Sequence, residues 1–219
     1  TAPPSNTFGM RYTGVKPAAL TPATHSTYYP NRPFFGDTRS FYGNYATALN
    51  GASVSLADPA NDFSGQVTVT AAVTAISDAN DLKVSLTTGE TKLTTGGALS
   101  LNGMVSGVLT TTSTAAVTQF GALQVAGGTA LTGASVTLAD PANEFQDVVT
   151  VTAGATAISD ANDLKILLTT GETKLSARDS LSVIGVVSGA LAASSSARRP
   201  PFWSPAFSTG RGPERSTRP

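Results

Sequence analysis

The chain has 219 residues and no cysteine. Neither a disulfide framework nor a thiolate metal site is therefore open to it. Charged residues make up 13% of the chain, about half the usual share of a soluble globular domain. Aromatic residues are only 7%, and there is a single histidine, His25. A thick aromatic core and histidine-based metal or acid–base chemistry are both disfavoured. No run is long and apolar enough for a transmembrane segment: the longest apolar-leaning stretch, residues 183–193, is broken by Gly and Ser and falls well short of the ~20 residues a bilayer requires. There is no phosphate loop, no HExxH and no dinucleotide fingerprint. The sequence opens on Thr-Ala-Pro-Pro, which would suit a secreted chain after signal removal and would suit an arbitrary boundary equally well.

Small and β-branched residues are plentiful instead, with Thr alternating with Val or Leu. They are distributed in three zones. Residues 1–46 hold nine of the fifteen aromatic residues and several prolines. Residues 47–192 hold three aromatics, Phe63, Phe120 and Phe145. Residues 193–219 form a Ser/Arg/Pro tail with Phe202, Trp203 and Phe207. Formal charge follows the same division, at +3, −7 and +4 respectively. The neutral total is thus a sum of opposed blocks, and the basic ends should be attracted to the acidic middle of the same or a neighbouring molecule.

The middle zone repeats. Residues 51–110 and 133–192 align without a gap at an offset of 82, with 41 of 60 positions identical. The units are 51–132 and 133–192. A fixed long period of this fidelity marks a repeat architecture. Each unit breaks into segments of about nineteen to twenty-two residues, so that four turns fill one unit. Short alternating runs such as VTVTA, LKVSL and LSL read as strands, and Asp-Pro, Asn-Asp and Thr-Gly read as the turns between them. The expected fold is all-β: a parallel β-helix of about seven coils and roughly 35 Å, with inward Val, Leu, Ile and Ala, outward solvated Thr and Ser, and non-repetitive extensions at both ends. The open ends of such a rod need caps or partners.

LADPANDFSGQVTVT, AISDANDLKVSL and VTQFGALQVAGGTALTGASVTLADPANEF resemble the repeats of filamentous-haemagglutinin-like exoproteins and large autotransporter adhesins. The resemblance covers residues of about 47–192. It implies a right-handed β-helix, an extracellular or cell-surface location, and an adhesive or structural role with host or cell-surface glycans as candidate ligands. The flanking segments do not match that family.

Acidic turns are the first candidates for chemistry. Asp58 and Asp78 are twenty residues apart, Asp62 and Asp81 nineteen; Asp140 with Asp160 and Glu144 with Asp163 repeat the pattern. In coils of about twenty residues each pair would stack on one edge, where carboxylates repel unless a cation or proton lies between them. A Ca²⁺ site or a glycosidase-like acid pair would use such a set, with Lys83 and Lys92 nearby for an acidic polysaccharide. The favoured reading is a solvated turn edge in which Asp and Asn serve turn geometry, because the pattern is part of the repeat. Asn61, Asn80, Asn143 and Asn162 are expected to stack as a structural ladder. Ser106 and Ser188, in GMVSG and GVVSG, are one place late for a nucleophile elbow and are read as turn residues. No catalytic residue and no cofactor are expected.

The remaining candidates lie at the ends. Tyr28, Tyr29, Phe34, Phe35, Phe41 and Tyr42 in the first zone, and Arg198, Arg199, Phe202 and Trp203 in the tail, are read as assembly residues that dock onto an acidic solenoid. Binding to nucleic acid is not expected, since the repeat zone is acidic. Three functions are carried forward: a self-assembling structural or adhesive solenoid, a carbohydrate-active β-helix enzyme, and an inactive piece of a larger adhesin.

Overall fold

A computed structural model describes residues 42–43 and 46–196. Its strands are β1 (Tyr42–Gly43), β2 (Thr47–Leu56), β3 (Asp62–Phe63), β4 (Gln66–Asp78), β5 (Leu82–Thr95), β6 (Leu99–Val105) and β7 (Leu109–Ser113), then β8 (Ala116–Val125), β9 (Thr129–Leu138), β10 (Glu144–Phe145), β11 (Val149–Asp160), β12 (Leu164–Ala177), β13 (Leu181–Val187) and β14 (Leu191–Ser195). There is no helix among the described residues, and hence none long and apolar enough to cross a membrane. Every pairing is parallel. Strands too short or too lone for stable hairpins gain their ladder bonds from the coil above and the coil below, which makes an all-β solenoid. Strands extend a little past the repeat zone read from sequence: β1 precedes residue 47, and β14 runs to Ser195.

One column of paired residues runs through the molecule: Val54, Thr74, Thr91, Leu109, Thr129, Val149, Ile166 and Val183. Its steps in residue number run from 17 to 20, shorter than the nineteen to twenty-two expected, so the chain makes about eight coils rather than about seven. At about 4.8 Å per coil the rod is roughly 38 Å long.

The longest strands serve two faces. In β5 burial alternates from Leu82 to Thr88, slips at Gly89 and Glu90, and resumes at Thr91. The phase slip is a corner, since two successive residues that both fail to point inward turn the chain. Inside lie thin layers of Val, Leu and Ile, with Phe63 and Phe145 as the buried aromatics. The interior also holds Thr74, Thr88, Thr91, Thr95, Thr111, Thr129, Thr156, Thr170 and Thr173. The expectation of outward Thr therefore holds only in part: Thr68, Thr70, Thr87, Thr132 and Thr152 are exposed, and these others face inward. Some of these hydroxyls pair with one another, Thr88 with Thr91 at 2.7 Å and Thr156 with Thr170 at 2.9 Å, which satisfies them without water.

Four turns do not fill a unit. From Val54 to Thr129 the chain climbs four coils, and the residue number rises by 75, seven short of the repeat offset of 82. Seven residues are about one face, so the second unit is turned by a face relative to the first. Leu49 heads the column Val69, Leu86, Gly103, Leu123. Its counterpart in the second unit, Leu131, instead stands on Thr111, Leu93, Ile76 and Leu56. The sequence repeat therefore winds around the rod instead of stacking on itself.

Candidate functional site

Each unit places a group of its acidic residues, Asp58, Asp62, Asp78 and Asp81 or Asp140, Glu144, Asp160 and Asp163, around one corner, where a loop leaves the solenoid and returns. In the first unit β2 ends at Leu56, the Asp-Pro turn projects, and the short β3 rejoins the ladder. Asn61, almost fully buried, plugs the gap: its Nδ2 donates to the Leu56 carbonyl at 2.9 Å and the Ser77 carbonyl at 3.1 Å. Asp78 ends β4 and faces the returning loop. Its Oδ2 accepts the Phe63 N–H and its Oδ1 the Asn80 N–H, both at 2.8 Å. Asp58 accepts the Ala60 N–H at 2.9 Å within its own turn, and Asp81 accepts the Ala98 N–H of the next coil at 2.7 Å. Asp62 is half-buried beside them.

The second unit rebuilds this corner one face round. Asp160 accepts the Phe145 N–H at 2.8 Å and the Asn162 N–H at 2.7 Å, and Asp140 accepts the Ala142 N–H at 2.9 Å. Asp163 accepts both the N–H and the hydroxyl of Ser180, at 2.9 and 2.6 Å. Asn143 bonds the Leu138 carbonyl at 2.9 Å and adds a reciprocal amide pair with Gln119, at 2.9 and 3.1 Å. Its Oδ1 also accepts the Leu123 N–H at 2.9 Å.

Burial raises the Asp78 carboxyl above its ordinary value; the two backbone N–H groups oppose that rise, and the charges of Asp62 and Asp81 add to it. Asp160 is raised in the same way, chiefly by burial, with Glu144 and Asp163 as its like-charged neighbours. Asp163, fully exposed, is lowered by its bonds from Ser180. The carboxylates that act on one another are thus Asp62, Asp78 and Asp81, or Glu144, Asp160 and Asp163. Asp58 and Asp140 stay in their own turns, so the expected stacks of Asp58 on Asp78 and Asp140 on Asp160 do not organise the corner. The reason is the projecting loop, which carries Asp58 off the ladder while Asp78 remains on it. Among the described residues no three His, Cys, Asp or Glu side chains converge to hold a metal ion.

The expected ladder of four asparagines divides into two kinds. Asn61 and Asn143 are buried plugs, whereas Asn80 and Asn162 are exposed turn residues. Ser106 and Ser188 each donate a hydroxyl bond to the carbonyl of the coil beneath, Thr88 at 3.2 Å and Thr170 at 3.3 Å, as turn residues do. Lys83 does not face the acidic corner; its ammonium lies 4.6 Å from the centroid of the Phe120 ring. Lys92 is exposed on the outer side of β5. Of the assembly residues only Tyr42 falls in a described strand; Tyr28, Tyr29, Phe34, Phe35, Phe41, Arg198, Arg199, Phe202 and Trp203, with His25, lie outside the described residues.

The open end that the sequence leads one to expect lies at the last coil. Leu99, Leu101 and Leu109 are fully buried under the coil above. Their counterparts Leu181, Val183 and Leu191 have no such coil over them among the described residues, and Val183 is 37% and Leu191 51% exposed. β13 and β14 also have pairing partners on one side alone among the described residues. The signal was present in the sequence, since the residues after Ala197 cease to match those after Ala115.

Residues 70–152 match a family model described as repeats of unknown function (DUF5649). The match covers a little over a third of the chain and takes in most of the first unit and the start of the second. No curated protein and no solved structure shows a significant match.

Proposed function

We propose that this chain is a structural or adhesive β-solenoid that works outside the cell and assembles with further copies of itself. The observation that carries this reading is the bare last coil, whose apolar side chains and open strand edge form a surface of the kind that recruits another strand. The likeness of LADPANDFSGQVTVT and AISDANDLKVSL to exoprotein and autotransporter-adhesin repeats supports the extracellular setting. The absence of cysteine is compatible with it. The aromatic first zone and the arginine-bearing tail are the segments available for contacts between molecules.

A carbohydrate-active reading has less behind it. The carboxylates it would need hold backbone N–H groups at two separate corners, and Lys83 is turned to a ring. A reducing-sugar assay on acidic polysaccharides is expected to show no release; measurable release would reverse the preference. The assembly reading is tested by deleting residues 1–46. The full chain should form filaments or oligomers and the truncated chain should not. Normal assembly of the truncated chain would rule out a role for the first zone.

A further inference from the structure

The geometry points to a specific joint: the last coil of one molecule, β13 and β14, receives the first coil of a second copy, with β2 seated in parallel register on β14. This rests on the self-assembly reading and supplies its interface. The molecule already contains the same joint in its interior.

β14 is the second-unit counterpart of β7, and β2 is the first-unit counterpart of β9. Inside the solenoid β9 sits directly on β7, with Leu109 paired to Thr129, Thr110 to Ala130, Thr111 to Leu131 and Thr112 to Thr132. One of the two surfaces that meet there recurs closely at the first end of the described solenoid, and the other recurs in part at the last: LAASS of β14 keeps the Leu and the final Ser of LTTTS in β7. TALNGASVSL of β2 differs from TALTGASVTL of β9 at two positions, Asn50 and Ser55. Transferred to the joint, the same register sets Thr47 of the second copy on Leu191, Ala48 on Ala192, Leu49 on Ala193 and Asn50 on Ser194.

A second interior likeness fixes the neighbouring strand. β1 pairs with β3 as β8 pairs with β10, Tyr42 to Asp62 and Gly43 to Phe63 against Gln124 to Glu144 and Val125 to Phe145. Residues 42–43 and 47–56 thus occupy in the first unit the positions that residues 124–125 and 129–138 occupy in the second. β8 also covers β6, with Gln124 on Met104 and Val125 on Val105. The same step places Tyr42 and Gly43 of the second copy on Val186 and Val187, both at the bare end.

The chain does not continue its own repeat beyond this end. Residues 116–132, which cover the equivalent coil, read AVTQFGALQVAGGTALT, whereas residues 198–214 read RRPPFWSPAFSTGRGPE. The four prolines there cannot donate to a ladder. A second copy carries the right sequence; the tail does not.

The joint makes a polar, head-to-tail filament. A second copy continues the repeat as a third unit would, and each subunit advances the rod by two units, or roughly 42 Å at about 4.8 Å per coil.

Because the chain has no cysteine, single thiols report the joint directly. The full-length chain carrying Ala48→Cys is mixed with a longer, tagged full-length chain carrying Ala192→Cys and oxidised; both positions are at least partly exposed. The expected result is a reducible heterodimer at least tenfold above either homodimer. Replacing Ala192→Cys by Ser182→Cys, on β13, should lower the yield at least tenfold. Leu191→Lys, at an exposed position, should abolish filaments while the melting temperature is kept. Filaments without the heterodimer would overturn this joint and leave self-assembly standing. A chain that stays monomeric by sedimentation and gives no heterodimer would overturn both. Filaments that survive Leu191→Lys would also overturn the joint.

Discussion

The interior threonines decide where single substitutions help or harm. The hydroxyls of Thr74, Thr111 and Thr129 are buried without a hydrogen-bond partner. A valine has nearly the same shape and no polar atom to desolvate. Thr74→Val and Thr129→Val are expected to stabilise the fold by about 1 kcal/mol each, since a buried unsatisfied hydroxyl is removed at constant volume. Thr88→Val has the opposite sign, because Thr88 is bonded to Thr91; it should cost about 1 kcal/mol. Urea titration of the three variants separates the two cases. These positions were not legible beforehand. Thr alternates with Val in the sequence, but the corners at Gly89 and its equivalents reset which member of the alternation points inward.

The buried aspartates make a pH prediction at the same scale. Asp78 and Asp160 are raised by burial, so the folded chain holds their protons more tightly than the unfolded chain. The stability they contribute is complete below the ordinary carboxylate value and is lost as pH rises through their folded values. Asp163 runs the other way: it is lowered, and its contribution is present above the ordinary value and lost as pH falls through its folded one. Asp78→Asn replaces one of two accepting oxygens by a donor that faces a backbone N–H. It should cost about 1–3 kcal/mol at neutral pH and remove the Asp78 share of the pH dependence. Thermal melts from pH 3 to pH 7 of the parent chain and the variant test both statements.

At the scale of the strand, most of the architecture was readable. Short alternating runs, regular turns and the long repeat offset pointed to stacked parallel coils, and the strands found follow those runs. The acidic corner was readable as turn chemistry, because Asp-Pro and Asn-Asp mark turns whatever lies above them. Its three-dimensional grouping was not, because Asp58 and Asp78 keep a coil-length spacing although the loop removes one of them from the ladder. Nor was the coil count, since the length of the repeat gives no sign that four coils use less chain than one unit holds.

Gly103 and its counterpart Gly185 test the strands themselves. Both have positive φ, +112° and +126°, and an added Cβ would lie 2.1 and 2.0 Å from the carbonyl oxygens of Leu86 and Leu168. Alanine at either position is strained in conformation and blocked in space. Gly103 lies between two coils and Gly185 in the bare last one. Gly103→Ala is expected to lower global stability by more than about 1 kcal/mol. Gly185→Ala should act mainly by loosening the last coil. Amide exchange would show the contrast: faster exchange throughout for the first, and faster exchange confined to the last coils for the second.

For the whole molecule, a solenoid is stabilised by contacts between neighbouring coils, so its ends hold the least stable and most adhesive residues. The interior coils are complete here, and the two corners repeat one structural solution a face apart. Among the described residues no three His, Cys, Asp or Glu side chains converge to hold a metal ion, and the proposed assembly rests on the last coil instead. The bare C-terminal coil is the place where, among the described residues, the repeat stops before its layer of Leu and Val is closed. A filament built through it would carry identical corners along a winding path, because each unit is turned by a face.

Helical reconstruction of the purified full chain by electron cryo-microscopy tests this account most directly. It should show filaments with strands perpendicular to the axis, a spacing of about 4.8 Å along it and one subunit every ~42 Å. Separate rods of roughly 40 Å with no end-to-end contact at any concentration would contradict it.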